Sequence, residues 1–157
     1  MPRQRLRFRL NLAVIVVALV VTAIDAATKA WARHDLAHHS VHVFGFVWLR
    51  LEFNSGISFS INRSGPVVTT VATIVIAVIV VLVGINANRG LPTIGFGLLI
   101  GGGVANVIDR LAATPHEVTD FIALSTFPVF NVADACITVG FVILMIAAVR
   151  GDRLVAR

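Results

Sequence analysis

Four apolar stretches separated by short polar punctuation dominate the residue pattern. They run from about Leu12 to Trp31, from Val67 to Ile85, from about Leu91 to Ile108 and from Val132 to Val149. Each is close to the ~20 residues that a helix needs to cross about 30 Å of hydrocarbon. Helices are the expected element, because lipid offers no partner to an unpaired backbone group. Gly65-Pro66 opens the second stretch, and Asn86-Ala87-Asn88-Arg89-Gly90 separates it from the third, breaks of the expected kind. The third stretch is rich in glycine: Gly95, Gly97 and the run Gly101-Gly102-Gly103. Inside a span these residues let helices approach closely, a reading preferred to a phosphate-binding loop.

A different period marks the connection between the first two stretches. Leu49, Leu51 and Phe53 alternate with Arg50, Glu52 and Asn54, and Ile57, Phe59 and Ile61 alternate with Ser58, Ser60 and Asn62. Period two on both sides of Asn54-Ser55-Gly56 predicts a hairpin. Its apolar face would lie on the membrane surface or over a substrate, or the hairpin would be a small structural flap.

Composition agrees with the pattern. Of the 157 residues, 57% are hydrophobic and 13% charged, with a mean hydropathy of +0.91, against about 45–50% and about 25% in soluble domains. The length suits one domain over residues 1–157, without a separate soluble enzyme. The net charge of +5 does not indicate nucleic acid, since the arginines flank apolar spans instead of forming a stripe with interleaved aromatics. Arg3, Arg5, Arg7 and Arg9 before an apolar run resemble a secretory signal. However, the run continues through Asp25 and Lys29 without a small-x-small cleavage site, so a retained first helix is expected. The lone Cys136 has no disulfide or metal pattern and reads as a small core residue.

Charge also orients the chain. With both termini cytoplasmic, the inner segments hold Arg3, Arg5, Arg7, Arg9, Arg89, Arg150, Arg153 and Arg157. The longer outer segments hold only Lys29, Arg33, Arg50, Arg63 and Arg110. The positive-inside rule then places residues 33–65 and 109–131 outside. The predicted fold class is all-α integral membrane, with four transmembrane helices and a small extracytoplasmic β-hairpin or sheet between helices 1 and 2.

On this topology Asp25, Asp35, Glu52, Asp109, Glu117, Asp120 and Asp134 fall in the outer half or outside, and only Asp152 is cytoplasmic. Outer loops are wetter, which accounts for Asp35 and Glu117. It does not account for Asp25, a charge within a span that costs at least ~2.5 kcal/mol without a partner. Lys29, four residues on, shares its helical face and offers an internal ion pair. Asn106, Asp109 and Arg110 share a face at the outer end of the third span, and Asp109 is expected to pair with Arg110. Asp120 lies in the extended-looking Val118-Thr119-Asp120-Phe121. Asn131 and Asp134 stand three apart at the start of the fourth helix, where an Asn cap and a nearby acid are stabilising.

Capping alone does not explain why Asp109, Asp120 and Asp134 reach one membrane level, and Arg110 can neutralise only one of them. Two carboxylates forced together in a low-dielectric site do not easily both ionise. One keeps its proton and polarises a carbonyl, while the other takes a proton from water, as in aspartic proteases. No competing nucleophile stands out. His34, His38, His39 and His42 have spacings compatible with a metal but sit in a polar loop, so no metal is expected.

These residues resemble the lipoprotein signal peptidases, or signal peptidase II. The elements are Asp25-x-x-Thr28-Lys29, Phe53-Asn54-Ser55-Gly56, Gly102-x-x-x-Asn106-x-x-Asp109-Arg110, Thr119-Asp120-Phe121 and Phe130-Asn131-Val132-Ala133-Asp134. Each is weak alone, but five in order on a four-span frame are specific, and the resemblance covers nearly the whole chain, from Asp25 to Gly140. The resemblance implies a catalytic dyad of Asp120 and Asp134. It implies a supporting shell of Asp25, Lys29, Asn54, Gly56, Asn106, Asp109, Arg110, Asn131 and Ala133. Ile57, where the family often has a small residue, and Thr119, where it has Val, are departures. The implied protein is an aspartic endopeptidase of the bacterial cytoplasmic membrane, with its active site near the outer face. Its substrates would be diacylglyceryl-modified prolipoproteins held in membrane lipid, cut before the lipidated cysteine. The implied chemistry needs neither metal nor organic cofactor and involves no nucleic acid.

Two other classes make different demands on the pattern. A transporter or channel would spread acids along a path through the bilayer, whereas the inner halves of the four stretches carry none. A scaffold would have no need for three aspartates at one level.

Overall fold

The computed structural model describes residues 10–55, 65–113 and 116–156. Gly56 and the Ile57–Asn62 arm of the expected hairpin lie outside the described residues. The four helices are α1 (Leu12–Asp35), α2 (Gly65–Gly84), α3 (Leu91–Ala112) and α4 (Val132–Val149). All four are long and apolar enough to cross a membrane. α1 and α3 each run about one turn past the apolar stretches, which carries Arg33, Asp109 and Arg110 on helix instead of loop.

α3 is the central helix, packing on α1, α4 and α2, and its glycines explain why. A Cβ at Gly101 would fall 2.6 Å from the Val21 side chain and 2.7 Å from the Ala18 carbonyl of α1. One at Gly102 would fall 2.5 Å from the Ala133 carbonyl and 2.8 Å from Ile137 of α4. Successive glycines therefore admit two helices on different sides of α3, as expected for close packing in a membrane. Thr22 on α1 uses this proximity to donate from Oγ1 to the Gly101 carbonyl at 3.1 Å.

At the opposite end from the acids, Asn11 caps α1 by accepting from the Ala13 N–H. Asn11 Nδ2 also donates to the Ala87 carbonyl at 3.0 Å and to Thr93 Oγ1 at 2.8 Å. The chain after α4 returns to the α2–α3 connection, where Asn88 Nδ2 donates to the Arg153 carbonyl at 2.7 Å. These contacts tie the ends of α1, α3 and α4 together, so the helices hold a fixed register along their length.

The expected small sheet beside helices 1 and 2 is present, while the second arm of the hairpin lies outside the described residues. The strands of the sheet are β1 (Val41–Phe44), β2 (Val47–Asn54) and β3 (Val118–Leu124), antiparallel in the order β1-β2-β3. The period-two segment ending at Asn54 is indeed a strand, but β1 precedes it and β3 comes from the α3–α4 connection. Leu49 and Leu51 on its apolar face pack with Ala32, Leu36 and Phe121. That part of the face is covered by the protein itself, whereas Phe53, next along it, is 56% exposed. Alternation correctly predicted which side chains share a face but could not name what covers it.

Candidate active site

Five elements meet at the end of the bundle that carries the acids. α1 supplies Asp25 and Lys29, buried to 1% and 2% exposure and paired at 2.8 Å. The i, i+4 spacing creates this pair, and two further contacts fix its position. Asp25 Oδ1 accepts the Ala133 N–H at 2.8 Å, anchoring the first turn of α4 to α1. Lys29 Nζ donates to Asn106 Oδ1 at 2.9 Å and lies 3.4 Å from Asp109. A buried ammonium is tolerable only with such partners.

Asp109 is not held by Arg110, contrary to expectation. It accepts from Arg33 Nη1 at 3.1 Å and from the Thr119 N–H at 2.7 Å, with Lys29 as its second cation. Adjacent residues on a helix point about 100° apart, so Asp109 faces α1 while its neighbour turns elsewhere. Arg110, buried at the end of α3, donates from Nη1 to the His116 carbonyl at 3.3 Å. His116 bonds back through Nδ1 to the Arg110 carbonyl at 2.8 Å, and its φ of 71° turns the chain toward β3. The Arg110 charge acts on Asp120, Asp134 and Asp109 together and is private to none of them.

Arg33 is the residue that sequence reasoning missed. Its Nη1 also donates to Thr119 Oγ1 at 2.8 Å, so it clamps α3 and β3 at once. The signal was present, because Arg33 continues the i, i+4 series of Asp25 and Lys29. The Val-to-Thr departure at 119 acquires a reason here: the hydroxyl meets a guanidinium.

β3 alternates like any strand. Thr119 and Phe121 face α1, and Phe121 packs with Ala32, Leu36 and, edge-on, Trp31. Asp120 therefore points the other way, toward β2 and α4. Its Oδ2 accepts from Asn54 Nδ2 at 2.9 Å and its Oδ1 from Asn131 Nδ2 at 2.7 Å. Asn131 also caps α4. Its Oδ1 accepts the Asp134 N–H at 2.9 Å, and Asp134 Oδ2 accepts the Asn131 N–H at 3.3 Å, a capping box. The other Asp134 oxygen accepts from Asn106 Nδ2 at 2.8 Å. One asparagine thus joins Asp120 and Asp134 to each other and to the helix terminus.

The buried acids fall into two classes. Asp25 and Asp109 are neutralised by direct contact with Lys29 and Arg33. Among the described residues, every hydrogen bond to the Asp120 and Asp134 carboxylates comes instead from an uncharged amide, of Asn54, Asn131 or Asn106. Amides orient a carboxylate without cancelling its charge, so a proton stays available to the pair. Burial pushes the Asp120 carboxyl up to about 6. The Asn54 and Asn131 amides and Lys29 oppose this, and the charge of Asp134 adds to it.

A cleft of about 520 Å³ opens at this point, lined by Leu124, Phe127, Pro128, Val129, Phe130, Ala135, Thr138 and Val139. Its polar positions are Asn54 and Asp134, with Thr138 farther along α4. Asp134 thus meets the cleft directly, and Asp120 stands behind Asn54 at 1% exposure. Ala133 contributes its backbone N–H, and its fully buried methyl group leaves room for the approach of α3. Gly56 lies outside the described residues. Among the described residues, no three His, Cys, Asp or Glu side chains converge on a metal position.

Known proteins resemble this chain over most of its length. The profile described as signal peptidase (SPase) II matches residues 17–150. A lipoprotein signal peptidase of Rhodopseudomonas palustris is 39% identical over 146 residues, spanning 83% of this chain and 88% of the relative. One from Chlorobium phaeobacteroides is 34% identical over 146 residues, covering 82% and 91% respectively. Among solved structures, a bacterial membrane enzyme determined by the in meso method superposes with a TM-score of 0.76 at 27% identity, covering 87% of each chain.

Proposed function

The chain belongs to the signal peptidase II family, and from that premise we propose that Asp120 and Asp134 are its catalytic pair. In this reading the protein is a single four-span aspartic endopeptidase. It removes the signal peptide from diacylglyceryl-modified prolipoproteins by cutting before the lipidated cysteine. The observation that carries the assignment is the division among the buried acids: two are neutralised by cations, and the two nearest the apolar cleft are held, among the described residues, by amides alone.

The division of labour follows from the surroundings. Asp120, enclosed and raised to about 6, is the group that holds the proton, and Asp134, which meets the cleft, faces the attacking water. Asp134 as carboxylate takes a proton from water as the water oxygen attacks the scissile carbonyl carbon. Asp120 gives its proton to the carbonyl oxygen, so no free oxyanion develops. In the collapse of the resulting diol, the proton on Asp134 passes to the departing nitrogen of the cysteine. A hydroxyl proton of the diol returns to Asp120, and both carboxyls regain their starting states. Asn54, Asn106 and Asn131 keep the two groups oriented throughout, which lowers the reorganisation the reaction requires.

The cleft favours a lipid-attached substrate. Its walls are almost entirely apolar and it runs along α4 toward Val139, so acyl chains can remain in lipid while the peptide bond meets Asp134. The excess of arginine at the other end of the bundle supports cytoplasmic termini and a site near the outer face of the cytoplasmic membrane. The test is cleavage by the purified, reconstituted protein. A diacylglyceryl-modified precursor should yield a product beginning at the lipidated cysteine, and the same precursor without lipid should remain intact. Absence of cleavage of the lipidated precursor, or equal cleavage of both forms, overturns the proposal.

A further inference from the structure

Apolar exposure on the sheet is greatest at its β1–β2 turn, with Phe53, Val43 and Trp48 exposed to a lesser degree. Phe44 and Phe46 flank Gly45 between β1 and β2 and are 65% and 62% exposed. In the middle of β2 the exposed side chains Arg50 and Glu52 instead form an ion pair at 2.8 Å. The turn stands beside the segment that leads into α4, since the Phe46 carbonyl accepts the Ser125 N–H at 3.0 Å. That segment presents Phe127, 61% exposed and packed edge-on against Phe130 with ring centroids 5.9 Å apart. Phe130 immediately precedes the Asn131 cap, so the turn and Phe127 both stand near the start of α4.

Two features separate this tip from an ordinary aqueous loop. Phe127 lines the same apolar cleft as Val139, a half-exposed residue within the α4 span. The Phe127 ring is therefore continuous with that α4 surface, and the β1–β2 turn adjoins its segment through the Phe46–Ser125 hydrogen bond. Backbone oxygens of the turn and of the segment beside it are also satisfied inside the protein. The Gly45 carbonyl accepts from His42 Nε2 at 2.9 Å, the Phe46 carbonyl accepts from Ser125, and the Leu124 carbonyl accepts the Phe127 N–H at 2.8 Å. A water-facing turn has no need of such pairing, whereas a segment entering lipid does.

We propose that the β1–β2 turn, through Phe44 and Phe46, inserts with Phe127 into the acyl–headgroup boundary of the adjacent leaflet, setting the depth of the sheet that carries Asn54 and Asp120. Aromatic rings favour this boundary. The occupant of the surface is bilayer lipid, present with or without substrate. The inference rests on the four membrane spans and not on the chemistry of the aspartate pair, so the two stand or fall separately.

A single-tryptophan reporter tests it. Phe46→Trp is placed in a Trp31→Phe/Trp48→Phe background and reconstituted, without substrate, in phosphatidylcholine vesicles containing lipid brominated near the top of the acyl chain. The reporter should lose most of its emission to the brominated lipid and be shielded from aqueous acrylamide. Phe127→Trp, read in the same way, provides a second reporter at an exposed position. Free quenching by acrylamide with no effect of brominated lipid overturns the proposal. Quenching by brominated lipid only after a diacylated precursor is added also overturns it, because the tip would then meet substrate and not the bilayer.

Discussion

Replacing Lys29 by methionine probes the charge-paired half of the site. The side chain keeps its length and apolar stem but loses the ammonium that lies 2.8 Å from Asp25 and 3.4 Å from Asp109. The two acids do not suffer equally. Asp109 retains Arg33 at 3.1 Å and the Thr119 N–H at 2.7 Å. Asp25, at 1% exposure, retains among the described residues only the Ala133 N–H. The cost therefore falls on Asp25 as an unpaired buried charge, about 3–5 kcal/mol, a large part of the roughly 5–15 kcal/mol that holds a domain folded. Adding Asp25→Asn removes the orphaned charge while its side-chain oxygen still accepts from Ala133. Lys29→Met/Asp25→Asn should thus be more stable than Lys29→Met alone. The assay is unfolding in mixed micelles with a rising fraction of denaturing detergent, comparing wild type, both single variants and the double. A Lys29→Met protein that unfolds with wild type, or a double variant destabilised by the sum of the singles, refutes the reasoning.

Other consequences follow from the same geometry. If Asp120 keeps the proton, kcat/KM should fall as pH rises through about 6, because that limb reports the free enzyme. The corresponding limb in kcat should lie at higher pH, since bound substrate displaces water. A pH–rate profile level through this range contradicts the assignment of the proton to Asp120. Arg33→Gln should leave stability within roughly 1 kcal/mol of wild type, because the guanidinium is partly exposed. It should nonetheless lower kcat several-fold at unchanged KM by loosening β3, with Arg33→Lys restoring part of the rate; steady-state kinetics of the three proteins decides this. Gly102→Ala drives a methyl group against the Ala133 carbonyl and Ile137. It should cost about 1–3 kcal/mol in the same unfolding assay and reduce turnover, because the displaced turn carries Asp134.

Much of this arrangement is legible in the residue pattern, and the gaps have physical causes. The four spans emerge from apolar length, and the glycines of α3 announce close packing, because both effects act locally along one helix. The Asp25–Lys29 pair and the Asn131–Asp134 cap are legible for the same reason: each follows from i, i+4 or i, i+3 geometry. Partnerships across elements are not local. Sequence proximity suggested that Arg110 would hold Asp109, but neighbouring helix positions diverge, and the partner is Arg33, 76 residues away. β2 was recognisable by alternation, yet its partners β1 and β3 depend on the return of the chain after α3. The contrast between amide-held and cation-held acids was invisible, since it depends on which face each asparagine presents in three dimensions.

The central claim is that Asp120 and Asp134 act together while Asp25 and Asp109 hold the frame. The most direct measurement is single-turnover cleavage of one purified diacylglyceryl-modified prolipoprotein by wild type, Asp120→Asn and Asp134→Asn, each shown to be folded in detergent. Both substitutions should abolish cleavage while leaving the cation-paired acids intact. Wild-type cleavage by either folded variant would contradict the dyad.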